Sequence, residues 1–249
     1  NGPIPLEEIP PESLQRKNDA HPRLAGRKLK PRVLTVTQST YDGVIYNVET
    51  IKAQLDGVID SLHFDEAWLP HAAFHGFYRN MHAIGGVANG RARAKHSMVF
   101  ATQSTHKMLA GLSQASQILV QDSEKEHLDR FQFNEAYHMH VSTSPQYAII
   151  ASCDVAAAMM EPPGGTALVE ESIAEALDFR RAMRKVDAEF GEGTPTSWWF
   201  QVWGPQELAD EGIGTREDWV LRADDRWHGF GRLAPGFNML DPIKSTLIT

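Results

Sequence analysis

The sequence alternates short apolar runs with amphipathic ones, and this order is what most restricts the fold. Residues 32–37 (RVLTVT) form a β-branched run typical of a buried parallel strand, and further strands are predicted over 59–64 and 97–103. Between them the apolar spacing predicts helices over 44–55 and 72–81. This alternation predicts an α/β fold with a mainly parallel sheet, helices on both of its faces, and sites at the carboxyl ends of the strands.

The remainder of the chain continues the mixed pattern. A strand is predicted over 117–121, a helix over 129–140, and a tightly packed, buried helix over the alanine- and methionine-rich run 148–160. After the turn at 162–165 the spacing predicts a long helix with Thr166 as its N-cap. Residues 1–31 are rich in proline and show no sustained period, so we predict an irregular linker or a segment that wraps the surface.

Composition excludes several classes of protein. The chain has 249 residues and a formal charge of −8, which argues against non-specific binding to nucleic acid. No apolar run approaches the length of a membrane span, so no membrane association is predicted. The single cysteine, Cys153, rules out a disulfide within the chain and favours a reducing, cytoplasmic setting. The acidity suits a cationic substrate, although solubility alone explains it as well.

One lysine stands in an unusual setting. Lys107 lies between the strand 97–103 and an apolar run of small residues, so it is predicted to be buried. Burial favours the neutral amine that a Schiff-base lysine needs. Ser104, Thr105 and His106 precede it, as they would if a phosphate were held beside the amine. On the local pattern alone, a strand-to-loop turn rich in capping residues explains the segment equally well.

An acid occurs at the end of another predicted strand. Asp65 follows the run 59–64, and Lys107 follows the next strand along the chain. In a parallel sheet this arrangement can place a carboxylate at the ring nitrogen of pyridoxal phosphate and an amine at its aldehyde. The carboxylate would keep that nitrogen protonated, so that the ring can accept electrons.

Three separated motifs carry a resemblance to a known family. Residues 104–116 (STHKMLAGLSQAS), 64–71 (FDEAWLPH) and 37–43 (TQSTYDG) closely resemble the bacterial lysine/arginine/ornithine decarboxylases of aspartate-aminotransferase-like fold. The resemblance extends over essentially the whole chain and is closest to the lysine/arginine branch. It implies that pyridoxal 5'-phosphate is the cofactor and that a basic amino acid is decarboxylated to an amine of the polyamine type and CO2. Lysine is favoured as the substrate, and arginine and ornithine remain open.

The resemblance also implies a role for individual residues. Lys107 would hold the cofactor covalently and transfer protons, and Asp65 would pair with the ring nitrogen. Ser104 and His106 match positions on the phosphate side, and His106 is also implied in catalysis. Ala67 would pack against the ring face, and Trp68 would lie beside the ring hydroxyl. His71 would lie near the cofactor, and the hydroxyl of Ser142 would reach the phosphate of a neighbouring subunit.

The resemblance divides the chain into three parts. Residues 1–31 would be the linker, 32–165 the carboxyl-terminal half of the cofactor-binding domain, and 166–249 a bridging helix with the start of a further α/β domain. The chain therefore reads as part of a longer protein, and alone it is expected to bind the cofactor weakly and to be inactive. The intact protein is expected to be a homodimer, with larger assemblies left open.

Other features of the sequence admit different interpretations. His71 and His75 have the spacing of two ligands on one helix face, but Ala72 stands where a hydrolytic zinc site has its glutamate, so no metal is predicted. The glycine-rich segment 85–95 is predicted to be a surface loop, and the tryptophans after residue 197 to be core residues. A non-catalytic relative that keeps the fold and dimer surface is the alternative function, against which the intact Asp65 and Lys107 argue.

Overall fold

The computed structural model has a mixed α/β architecture built on a four-stranded sheet. It describes residues 2–27, 29–84, 93–190, 200–205, 207–208 and 212–248. The strands in these ranges are β1 (Val33–Thr37), β2 (Val44–Tyr46), β3 (Ser61–Asp65), β4 (Met98–Gln103), β5 (Gln117–Gln121), β6 (Gln201–Trp203), β7 (Asn238–Leu240) and β8 (Thr246–Ile248). The helices are α1 (Pro11–Ala20), α2 (Val48–Leu55), α3 (Thr105–Met108), α4 (Arg130–His138), α5 (Tyr147–Met159) and α6 (Gly164–Phe190), and 3-10 turns occur at Leu6–Glu8, Pro70–Phe74, Gly76–Tyr78 and Arg216–Trp219.

The main sheet has the strand order β1-β3-β4-β5. β1, β3 and β4 run parallel, and β5 pairs with β4 in the antiparallel direction at the edge. The prediction of a mainly parallel α/β sheet is confirmed, and the predicted strands recur with small shifts of their ends. β1 is only half-buried, however, since Val33 is 59% exposed, so the prediction of a strand buried on both sides is wrong for β1 in this chain.

The predicted helix over 44–55 is wrong in its first turn. Val44–Tyr46 is instead the strand β2, which pairs antiparallel with β7 from the far end of the chain. The helix begins only at Val48, where the side chain of Asn47 accepts a hydrogen bond from the backbone N of Thr50 at 3.2 Å. The apolar spacing continues through both elements, and the pairing that separates them is a long-range contact that local periodicity does not reveal.

The predicted helix over 72–81 is also wrong. Two 3-10 turns, Pro70–Phe74 and Gly76–Tyr78, occupy this stretch. The ring Nδ1 of His75 accepts a hydrogen bond from the backbone N of Phe77 at 3.2 Å, and this local bond interrupts a continuous helix. The chain then leaves helical geometry through Asn80, which has a φ of 74°.

The first 31 residues are more regular than predicted. They contain α1, which starts with Pro11 in its first turn, where proline is well tolerated. The hydroxyl of Ser13 donates to the carbonyl of Glu7 at 2.7 Å and fastens the helix to the preceding 3-10 turn. The backbone N of Ile4 donates to the Tyr46 hydroxyl at 2.8 Å, which attaches the segment to β2.

The second half of the chain is largely helical. α4 confirms the helix predicted over 129–140, and α5 forms where predicted but is not buried, because Ile150 and Val155 are 52% and 56% exposed. Its apolar residues surround the whole helix, and the described chain covers one side of it. α6 begins at Gly164 rather than after a Thr166 cap, and the Thr166 hydroxyl donates to the carbonyl of Phe74 at 2.9 Å instead.

Two apolar cores hold the elements together. One packs α2 against β3 and β4, with Ile51, Leu62 and Phe64 fully buried. The other joins β2, the turns after β3, α6 and β7, so residues on both sides of the predicted boundary at 165 share it. The division into three parts remains a prediction.

The tryptophans of the second half contribute to the second core where they are described. Trp219 is buried, and Trp203 meets Trp227 edge to face with ring centroids 5.1 Å apart, as expected of core residues. Trp198 and Trp199, and residues 85–92 of the predicted glycine-rich loop, lie outside the described residues. None of the helices in the described ranges combines the length and apolar character that a membrane span requires.

Candidate active site

Two parallel strands bring an acid and a lysine to the same edge of the sheet. Asp65 is the last residue of β3 and stands in register with Thr37 of β1 and Thr102 of β4. β4 ends at Gln103, and the single turn of α3, which contains Lys107, follows directly. Since β3 and β4 are parallel, their carboxyl ends lie side by side. Both residues therefore stand where the sequence places them, and their roles remain predictions.

The side chain of Lys107 lies against the indole ring of Trp68. The Nζ of Lys107 lies over this ring, 4.6 Å from its centroid. Tyr41, from the loop after β1, packs edge-on against the same indole with centroids 5.5 Å apart. The side chain of Lys107 is exposed, so the prediction of a buried lysine is wrong for this chain. The four-residue helix α3 lies at the open edge of the sheet, and the amine is accessible to an aldehyde there.

His106 is fixed in one orientation beside Lys107. Its ring Nδ1 lies 2.8 Å from the carbonyl oxygen of Ala115, which also accepts the backbone N of His106 at 3.2 Å. A carbonyl oxygen can only accept, so Nδ1 carries the hydrogen and Nε2 of the neutral ring keeps its lone pair. The imidazole can therefore accept a proton, or a hydrogen bond, at a defined atom.

Asp65 and Ser104, the residue that precedes α3, take part in hydrogen bonds with the backbone. Oδ1 of Asp65 accepts a hydrogen bond from the backbone N of Ala67 at 3.1 Å, which fixes the turn leading to Trp68. The carbonyl of Ser104 accepts the backbone N of Lys107 at 3.1 Å. The Ser104 hydroxyl makes no capping bond to α3, so it is available to another partner.

Glu66 is a buried acid that sequence reasoning did not single out. It follows Asp65 directly, is fully buried, and accepts hydrogen bonds from Gln103 Nε2 at 2.8 Å and from the backbone N of Ala83. Burial outweighs these bonds and the attraction of Lys52, and raises the pKa of Glu66 to about 7. The acidic pair is visible in the sequence, but which member is buried depends on the faces of the folded sheet.

His71 belongs to a second buried group. Its Nε2 lies 3.2 Å from Oδ2 of Asp241, close enough for an ion pair but not aligned for a hydrogen bond, and the Tyr78 hydroxyl donates to the other oxygen at 2.7 Å. Burial opposes ionisation of Asp241, but His71 and Tyr78 outweigh it, and the pKa of Asp241 falls below its ordinary value. The structure thus gives His71 a carboxylate partner that the sequence did not indicate.

A cavity adjoins His71 on the side of Lys107. It measures about 220 Å³ and is lined mainly by apolar side chains, among them Met108 and Leu109, which directly follow Lys107. His71 therefore lies near the predicted site, with apolar space beside it. Its predicted contact with a cofactor remains a prediction.

Ser142 stands apart from the other predicted site residues. It lies in the loop between α4 and α5, is exposed, and accepts a hydrogen bond from the backbone N of Ser144 at 3.1 Å. No contact recorded within the described chain joins it to Asp65 or Lys107. Its predicted role, in the site of a neighbouring subunit, does not require such a contact.

The histidine pair considered for a metal is not on a helix face. His71 lies in one 3-10 turn, and His75 caps the next with its Nε2 3.9 Å from Glu170. The residues that the structure describes contain no group of three or more His, Cys, Asp or Glu side chains arranged to hold a metal ion.

Comparison with known proteins decides the family. The profile described as "Orn/Lys/Arg decarboxylase, major domain" matches residues 1–249. The chain belongs to the Orn/Lys/Arg decarboxylase family. Its sequence is 49% identical over 250 residues to lysine decarboxylase LdcA of Pseudomonas aeruginosa, covering 100% of this chain and 32% of that protein. It is 39% identical over 264 residues to the biodegradative arginine decarboxylase of Escherichia coli, covering 99% and 34%.

Solved structures of this family share the fold. Lysine decarboxylase A from Pseudomonas aeruginosa superposes with a TM-score of 0.88 at 49% identity, over 100% of this chain and 32% of that one. The lysine decarboxylase LdcF of Francisella novicida gives a TM-score of 0.82 at 39% identity, over 99% and 31%. The chain thus spans about a third of the length of the relatives it matches.

The residues of this family member fit the cofactor that the resemblance implies. A pyridoxal phosphate site needs an accessible amine, a carboxylate, a flat apolar surface and groups for a phosphate. Here the amine of Lys107 is exposed on the Trp68 ring, and Asp65 ends the neighbouring strand. The uncommitted Ser104 hydroxyl and the oriented His106 ring supply polar groups in the same turn.

Proposed function

We propose that the protein containing this chain is a pyridoxal-phosphate-dependent decarboxylase that converts a basic amino acid, with lysine preferred, to the amine and CO2. The observation that carries the proposal is the placement of Asp65 and Lys107 after neighbouring parallel strands, with the amine resting on Trp68. A relative that merely keeps the fold has no need of this pair.

Each residue has a task in this reaction. Pyridoxal phosphate, when bound, supplies an electron sink for the pair that the departing CO2 leaves behind. The amine of Lys107 carries the cofactor and afterwards delivers a proton to the substrate's α-carbon, and the carboxylate of Asp65 holds a proton at the ring nitrogen. Ser104 would bind the phosphate with His106 beside it, and Ala67 and Trp68 would flank the ring.

The preference for lysine is supported by the 49% identity to one lysine decarboxylase, although the constitutive lysine decarboxylase of Escherichia coli, at 38%, is no more similar than the arginine decarboxylase of that organism. The chain is 49% identical to the lysine decarboxylase of Pseudomonas aeruginosa, 39% to an arginine decarboxylase of Escherichia coli and 29% to an ornithine decarboxylase of Haemophilus influenzae.

The protein is further proposed to act as a homodimer, in which Ser142 reaches the phosphate site of the partner. The helices on either side of Ser142 support this, since Phe131, Met139 and Val155 are 74%, 74% and 56% exposed and suit an interface better than water. A cytoplasmic location agrees with the single cysteine, Cys153.

Trapping the cofactor tests the proposal. Borohydride reduction of the protein with pyridoxal phosphate should attach a stable label to Lys107, identified by peptide mapping, and Lys107→Arg should lose it. Lys125→Met, at an exposed position away from the site, is the matched control and should keep it. An amine-product assay on lysine, arginine and ornithine then ranks the substrates. A label on another lysine, or no amine from any of the three, would contradict the proposal.

A further inference from the structure

A second lysine occupies the same indole ring as Lys107. The Nζ of Lys244 lies 3.7 Å from the centroid of Trp68, nearer than the 4.6 Å of Lys107. Lys244 comes from the far end of the chain, after β7, and is outside all three motifs that carry the family resemblance. The fold alone therefore brings two cations to one aromatic surface at the edge of the sheet.

The backbone around Lys244 is firmly held. Its N donates to the carbonyl of Asp241 at 3.1 Å, and its own carbonyl accepts Nη2 of the buried Arg180. The backbone N of Asp241 in turn donates to the carbonyl of Gly43 at 2.8 Å. The segment 241–244 is thus tied to α6 on one side and to the loop after β1 on the other.

Gly43 leaves the space that the stem of Lys244 fills. A Cβ at this position would lie 2.5 Å from Cβ and 2.7 Å from Cγ of Lys244, well inside contact distance. The φ of +93° at Gly43 also favours glycine. The close approach of the Lys244 stem to the backbone of Gly43 therefore depends on glycine at this position, and the stem continues from there to Trp68.

The ammonium of Lys244 is half-buried, and no carboxylate of the described residues is in direct contact with it. Burial lowers its pKa, Asp241 counteracts this from a distance, and the charge of Lys107 adds to the lowering. The nearest polar contact recorded is the sulfur of Met108 at 3.9 Å, and no described carboxylate lies within ion-pair distance of this Nζ. A half-buried cation of this kind gains most from an anionic partner.

We propose that Lys244 binds an anionic oxygen of the small molecule held at the Trp68 surface. The inference rests on the proposed function, in which the Lys107 amine is committed to the cofactor and Lys244 is the cation left on the indole. Two sources have the required chemistry, namely the α-carboxylate of the amino acid and the ring oxygen of the cofactor. Lys244 is then a binding residue that orients the ligand relative to Lys107.

Two substitutions separate charge from shape. Lys244→Met keeps most of the stem on Trp68 but removes the charge, while Lys244→Arg keeps the charge, and Lys125→Met is the exposed control. In the cofactor-free protein, acetate as a bare carboxylate should change the tryptophan fluorescence saturably in the wild type, Lys244→Arg and Lys125→Met. Lys244→Met should weaken acetate binding at least tenfold, and Trp68→Phe should abolish the signal and so assign it to this ring.

The source of the oxygen follows from two further measurements on the same variants. If the cofactor supplies it, Lys244→Met weakens binding of pyridoxal phosphate to the cofactor-free protein at least tenfold. If the amino acid supplies it, cofactor affinity is kept, KM for the amino acid rises at least tenfold, and inhibition by the amine product, which lacks the carboxylate, is unchanged.

The two proposals fail in different ways. Acetate, cofactor and amino acid binding that are all unaffected by Lys244→Met would overturn the role of Lys244 and leave the decarboxylase proposal standing. Acetate binding that depends on Lys244, in a protein that neither binds pyridoxal phosphate nor releases an amine, would support the anion site and contradict the proposed function.

Discussion

Asp65 and Glu66 are neighbours in the chain with nearly the same chemistry, yet the fold gives them opposite surroundings. Side chains alternate along β3, so Asp65 lies on the open face with Thr37 and Thr102, and Glu66 enters the side of the buried Phe64. Asp65 is partly exposed at the candidate site, whereas Glu66 is fully buried. The difference shows that the strand's period of two, rather than residue type, decides which acid reaches the candidate site and which is buried.

Removing the charge of Asp65 should have the largest effect. Asp65→Asn should lower kcat by about 1,000-fold or more, because an amide cannot hold the proton that the ring nitrogen needs. The free energy of unfolding should change by less than about 1 kcal/mol, since the amide can still accept from Ala67. Steady-state kinetics and urea unfolding measure the two quantities. Undiminished turnover would remove Asp65 from the mechanism.

Truncating Glu66 should act on stability instead. Glu66→Ala removes the acceptor for Gln103 Nε2 and for the backbone N of Ala83 in a buried setting. Leaving two buried donors unpaired should lower the free energy of unfolding by about 3 kcal/mol. Urea unfolding of the variant checks this value. A variant as stable as the wild type would show that water or other groups satisfy these donors.

The buried acid should also make stability depend on pH. The pKa of Glu66 is raised from 4.5 to about 7 in the folded chain, so its contribution to stability is fully present below pH 4.5 and declines as pH rises through 7. The groups facing it are Lys52, which favours its ionisation, and Asp65, which opposes it. The expected loss is about 3 kcal/mol across this window.

Glu66→Gln isolates this dependence. The amide does not titrate, so unfolding free energies measured in urea from pH 4.5 to 8 should lose that part of their slope, whatever constant offset the substitution adds. Asp65→Asn serves as the neighbouring control and should leave most of the slope in place. An unchanged slope in Glu66→Gln would assign the pH dependence to other groups.

The smallest effect is expected at Gln117, the last of three side chains joined by hydrogen bonds from Glu66 through Gln103. Gln103 Oε1 accepts Nε2 of Gln117 at 2.7 Å, but Gln117 is partly exposed at the edge strand β5. Gln117→Leu should therefore lower the free energy of unfolding by about 0.5 to 1 kcal/mol, because water can replace the lost donor. A loss as large as that of Glu66→Ala would mean that the three side chains act as one unit, which a double-mutant cycle would measure.

Much of the site could be predicted because its parts are local. β3 and β4 are apolar runs that show their strand character in sequence; Asp65 is the last residue of β3, and Lys107 lies in the turn after β4. Parallel pairing then places both residues at one edge without further information. The same reasoning failed for the burial of Lys107, because exposure depends on what covers a short helix at the edge of a sheet.

The rest depends on contacts between distant segments. β2 was predicted as helix since its partner β7 lies almost a whole chain away, and the same pairing brings Asp241 and Lys244 to His71 and Trp68. No spacing within one segment carries this information. Glu66 is the intermediate case, because its position was evident from the sequence and its burial was not.

The pairing of β2 with β7 sets an order of events during synthesis. While the ribosome adds residues one at a time, β3, β4 and α3 are complete long before Asn238–Leu240 emerges, so Asp65 and Lys107 can meet in a nascent chain that still lacks Lys244. Until then Val44 and Ile45, which are fully covered in the finished fold, have no strand beside them. A stalled chain ending before residue 238 should accordingly bind a hydrophobic dye that the completed chain excludes. The emergence of β7 therefore covers the apolar surface of β2, and Lys244 follows it from the ribosome within a few residues.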